Sequence, residues 1–91
     1  MYYETHITVS TANAKEATEI AKIARWKTSE IARDPLLGED TFFYLTRHSK
    51  NYNKTVLELE NCIKFLKEYE IPILREKIEY VIYDTKKKLI K

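Results

Sequence analysis

The sequence predicts a two-layer α+β domain with elements in the order strand, helix, strand, strand, helix, strand, and three observations carry that prediction. The first ten residues alternate, with Tyr3, Thr5, Ile7 and Val9 on one side and Glu4, His6 and Thr8 on the other. Successive side chains of a strand point to opposite faces, so this segment has one buried and one polar face. Two later stretches instead repeat apolar residues at intervals of three and four, the mark of an amphipathic helix. The remaining regular stretches are rich in β-branched and aromatic residues, which suit a pleated, half-buried surface.

The first helix follows the first strand. Asn13 and Glu16 have the spacing of a capping box, and Ala14, Ala17, Ile20, Ala21 and Ala24 then recur on one face. A stripe so rich in alanine predicts a helix lying close to whatever it covers. Residues 26–33 contain Thr28, Ser29 and Ile31, weak helix formers, and lead into Asp34-Pro35. Proline disfavours helix at the residue before it, so a short strand is expected there, with a turn over 34–40. Phe42, Phe43, Tyr44 and Thr46 predict a strand over 41–49. The second helix is expected over 52–69, with Val56, Leu59, Ile63 and Leu66 as its stripe and Thr55 with Glu58 as a capping box. Pro72 stops it. The last strand is expected over 74–85, with Ile78 and Ile82 facing the helices and Lys77, Glu79, Val81 and Tyr83 facing away.

This order is the split β-α-β unit repeated, which describes a ferredoxin-like fold. Right-handed crossovers then place both helices on one face of a four-stranded antiparallel sheet. The first and third strands are central in such a sheet. Glu4, His6 and Thr8, flanked by Lys27, Tyr44, Lys77 and Glu79, gather on the face the helices leave open.

Size and composition narrow the function. Ninety-one residues, 44% hydrophobic and 33% charged, make one domain over 1–91 that ends in a basic tail at 86–91. A chain this short gains buried area by pairing, so a homodimer through the open face, with Tyr44 and Tyr83 in the contact, is expected. Gly38 is the only glycine, which excludes glycine-cradled phosphate loops. The formal charge of +2 is too near neutral for a dedicated nucleic-acid binder, and an acidic residue in the first strand would repel phosphate where an RNA-binding sheet offers rings. A single cysteine, Cys62, excludes an internal disulfide and reads as a small core residue. No apolar run suits a membrane span and the N-terminus lacks a signal peptide's pattern, so a cytoplasmic protein is expected.

The open face offers the chemistry. His6 is a titratable imidazole, Glu4 can orient it, and Lys77 with Lys27 supplies positive charge. Together with Thr8, Tyr44 and Glu79 these residues form a candidate site for a small anionic ligand, a nucleotide or a phosphorylated or carboxylated metabolite. No nucleophile–base pair is identifiable, so binding is favoured over catalysis, with a plain protein-interaction module as the alternative. His6-Ile7-Thr8 also resembles the His-x-Thr half-motif of the 2H phosphoesterases, which implies a phosphoesterase using His6 and Thr8. That family needs two facing copies, and His48 is followed by Ser49-Lys50, which offers no second one. Neither a metal nor a cofactor is expected, because His6, His48, Glu4 and Glu79 have no helical spacing to fix them as ligands.

Overall fold

The computed structural model describes residues 1–31 and 42–82. Strand β1 (Tyr2–Ser10) passes through a single 3-10 turn (Thr11–Asn13) into helix α1 (Ala14–Ala24). Strands β2 (Lys27–Ile31) and β3 (Phe42–Ser49) come next, then helix α2 (Tyr52–Glu68) and strand β4 (Ile73–Val81). The architecture is α+β, with a four-stranded sheet in the order β2-β3-β1-β4 and every neighbouring pair antiparallel. The expected turn at 34–40, Tyr83 and the tail at 86–91 lie outside the described residues.

Register fixes the two faces. Ile7 pairs with Leu45 and Val9 with Phe43, so these four side chains share one face. The core there joins them to Ala17, Ile20 and Ala21 of α1 and to Cys62 and Leu66 of α2, so both helices cover the same side. Ile7, Val9, Leu45, Cys62 and Leu66 are fully buried. Each large apolar side chain among them contributes about 1.5–3 kcal/mol relative to an exposed one. Ala24, Leu59 and Ile63 pack at the margin of this core.

Both helices end alike. Arg25 and Glu70 take left-handed backbone angles, with φ of 64° and 57°. The next amides reach back, Trp26 N–H to Ala21 O at 2.8 Å and Ile71 N–H to Leu66 O at 2.9 Å. This is the Schellman ending, which glycine normally completes and this chain builds without it. Trp26 and Ile71 then drop into the core, 6% and 3% exposed.

Three expectations need correction. Asn13 makes no side-chain cap, because the 3-10 turn before α1 holds it at φ −102° and ψ 9°, and Ser10 caps that turn instead. Thr55 and Glu58 do not cap α2. Asn51 Oδ1 accepts from Lys54 N–H at 2.9 Å, while the Thr55 hydroxyl donates to Asn51 O. Ile82 is 70% exposed, not helix-facing, because β4 ends at Val81 and strand alternation does not extend past its last residue.

Arg47 ties the layers together. Its Nη1 donates to Ala24 O at 3.0 Å and Arg25 O at 2.6 Å, carbonyls that the end of α1 leaves without helical partners. Its Nε lies against Glu58 Oε2 of α2, off the N–H direction, so that contact is an ion pair and not a hydrogen bond.

Candidate functional site

The other face of the sheet is ordered in cross-strand rows. Lys27 stands opposite Thr46, Thr46 opposite His6, and His6 opposite Lys77. One row along, His48 faces Glu4 and Glu4 faces Glu79. In the other direction Ser29, Tyr44, Thr8 and Arg75 form the next row. A bulge in β4 comes directly after it, since Thr8 pairs with Arg75 but Val9 with Ile73. It sets the phase that brings Lys77 and Glu79 beside His6 and Glu4.

Side chains converge in the middle of these rows. His6 Nδ1 lies 3.0 Å from Thr46 Oγ1. His6 Nε2 bonds Glu4 Oε1 and stands 3.3 Å from Glu79 Oε1. The second oxygen of Glu4 accepts from His48 Nε2 at 2.9 Å, and Lys77 Nζ is 3.4 Å from Glu79 Oε1. The Tyr2 ring meets the His48 imidazole edge-on with centroids 5.2 Å apart. Burial, the largest single influence on the Glu4 carboxyl, pushes its pKa up. The hydrogen bonds from His48 and His6 and the charges of both imidazoles outweigh burial and hold it below its ordinary value. Glu4 is therefore an ionised acceptor shared by two rings.

The residues expected at the site separate into two groups. Glu4, His6, Lys77 and Glu79 come together as described, and Lys27 lies exposed at the far end of the His6 row. Thr8 and Tyr44 lie on the same face but are 2% and 8% exposed. The His6 ring nitrogens bond Thr46 and Glu4, and Tyr44 has almost no surface to lose on association. Sequence reasoning left out Thr46, Arg75 and the role of His48. Period-two alternation from Tyr44 puts Thr46 and His48 on this face, but their partners required the β1–β3 register. Among the described residues no helix is long and apolar enough to cross a membrane. No family model, curated protein or solved structure matches this chain.

Chemically, the arrangement can hold charge in place. It offers a fixed imidazole, two carboxylates on one of its nitrogens, and basic side chains at both sheet edges. Among the described residues it does not offer a nucleophile with a free base beside it, since Thr46 and Glu4 occupy the two ring nitrogens of His6.

Proposed function

We propose that this chain is a small ligand-binding domain whose open sheet face takes an anionic molecule, a nucleotide or a phosphorylated or carboxylated metabolite. The single observation that carries the reading is the row Lys27–Thr46–His6–Lys77. At about 4.8 Å between strands, its two lysines start about 14 Å apart. Each carries a charge on a flexible four-carbon stem, so both can lean over the imidazole and hydroxyl between them. Glu4 and Glu79 oppose an anion on one side of that row, and Thr8 and Tyr44 on the other side are buried, so the ligand lies over the row itself, with the part-buried Arg75 beside its β4 end. The strand order read from the far edge, β4-β1-β3-β2, and the shared side of the two helices support a ferredoxin-like topology for the domain.

The test is a thermal-shift screen with inorganic phosphate, nucleotides and phosphorylated or carboxylated metabolites. At a hundredfold excess over its dissociation constant a ligand stabilises by about 2.7 kcal/mol, a shift of several degrees or more in a domain this size. Lys27→Ala, at an exposed position, should reduce the shift without lowering the melting temperature of the free protein. No shift with any anion, or equal shifts in Lys27→Ala, would count against the site.

A second reading has its own observation. β4 is an edge strand; Leu74 and Tyr80 along it are 44% and 52% exposed, and Ile82 just past its end is 70% exposed. Edge strands of this kind are templates for pairing, so we propose a homodimer through β4. Sedimentation equilibrium should give a dimer that Tyr80→Glu dissociates; a monomer at high protein concentration removes this reading.

A further inference from the structure

Three ligand atoms converge on this face where a single proton cannot serve them all. A donor atom of each of Glu4, His6 and Glu79 lies within 4.8 Å of the other two. Both carboxylates address the same imidazole nitrogen, Nε2, from β1 on one side and β4 on the other. When Nδ1–H donates to Thr46 Oγ1, Nε2 turns its lone pair toward two anionic oxygens, and the three groups repel unless a cation lies between them. A proton on Nε2 can point at only one of those oxygens.

We propose that Glu4, His6 and Glu79 form a binding site for a divalent transition-metal ion, with zinc the best fit. One imidazole and two carboxylates suit zinc or a neighbouring first-row ion better than magnesium or calcium, which prefer all-oxygen shells. At about 2.1 Å from a tetrahedral ion, ligand atoms stand about 3.4 Å apart, close to the 3.3 Å between His6 Nε2 and Glu79 Oε1. The direct bond between His6 Nε2 and Glu4 Oε1 must open to admit the ion; Glu79 is half exposed and Glu4 a quarter exposed, so side-chain rotations can bring the other two distances into range.

The surroundings match what a metal ligand needs. A ligating histidine normally donates its other ring N–H to an oxygen, and Thr46 Oγ1 is placed to accept it. A ligating carboxylate is normally held by its second oxygen, and His48 holds Oε2 of Glu4 while Oε1 faces the site. Three protein ligands leave a fourth position open to water or to an added group. Among the described residues, Lys77, 3.4 Å from Glu79 Oε1, opposes the ion, since it competes for a ligand oxygen. This site does not depend on the anion reading, because its two carboxylates lie on the acidic side of the His6 row and only His6 is common to both.

The experiment uses chelator-stripped protein titrated with zinc against a chromophoric chelator, repeated with cobalt to read the visible bands of a nitrogen and oxygen ligand set. One ion per chain should bind. Glu79→Gln, at a half-exposed side chain, should keep the fold and weaken binding at least tenfold. Lys77→Met should tighten it by removing the competitor. His48→Ala should weaken it less than Glu79→Gln, because His48 acts through Glu4. Binding unchanged in Glu79→Gln, or abolished by His48→Ala alone, identifies surface-histidine capture and overturns the proposal. Absence of stoichiometric binding does the same.

Discussion

Replacing Arg47 by Met should be among the most damaging single changes outside the apolar core. The perturbation keeps most of the side-chain stem and removes the guanidinium, so packing is largely preserved. It deletes two charge-assisted hydrogen bonds, to Ala24 O and Arg25 O, and leaves Glu58 with 19% of its side chain exposed and its cation gone. Hydrogen bonds to charged groups contribute about 1.5–3 kcal/mol each when buried, and less where water competes. Arg47 is 22% exposed, so about 2–3 kcal/mol for the whole clamp is a reasonable sum. A domain of this length has about 5–14 kcal/mol in total, so the loss is a large fraction of it. Urea unfolding followed by circular dichroism measures the change directly, and the melting temperature should fall by at least about 8 °C. Glu58→Gln should cost less, because the carbonyl contacts remain. The double variant should cost less than the two singles together, the pattern of residues in direct contact. A change below about 0.5 kcal/mol in Arg47→Met would refute the clamp, since that is the range of an ordinary surface substitution.

Two further outcomes rest on the backbone and the core. Arg25→Gly and Glu70→Gly should each stabilise the protein by up to about 1 kcal/mol, because both positions hold left-handed angles that a side chain disfavours. Denaturant curves check this, and destabilisation at both sites would show that their side chains matter more than their angles. Cys62 is fully buried and its thiol is pushed up to about 12 by burial, so it should react with a disulfide reagent only through unfolding. At about 5 kcal/mol of stability that suppresses labelling by a factor of about 10³–10⁴ relative to the unfolded thiol. Reaction of the native protein at the free-thiol rate would show that α2 opens locally.

Which face each residue of β1 occupies was legible, because Ile7 and Val9 cannot both be buried unless Glu4 and His6 point the other way. The same logic carried Lys77 and Glu79, whose neighbour Ile78 reads as the inward residue. It fails at Ile82, where the pattern outruns the strand, and at Thr8 and Tyr44, which lie on the open face yet are buried. The helix starts depart from the capping-box spacing for a local reason. Asn13 and Thr55 have the right spacings, but Ser10 and Asn51 already bond the first free amides. Arg47 left no sequence signal. Its parity puts it on the helix side, yet its partners lie 22 and 23 residues away at one helix end and on a second helix.

Lys77 is where the two proposed sites meet, and it acts on them with opposite sign. Its ammonium belongs to the row that includes His6 and Lys27, and it also neutralises the Glu79 oxygen that a metal ion would take. An ion bound by Glu4, His6 and Glu79 would displace that contact and leave the ammonium free to turn toward an anion. It would also offset the two carboxylates that oppose an anion on that side of the row. Metal and anion should therefore bind cooperatively, and linkage requires the same factor in both directions. Lys77→Met separates the sites cleanly, since it strengthens the ion's hold on Glu79 while removing one of the two lysines that grip the anion. A side chain that merely decorated a solvated sheet would change neither affinity.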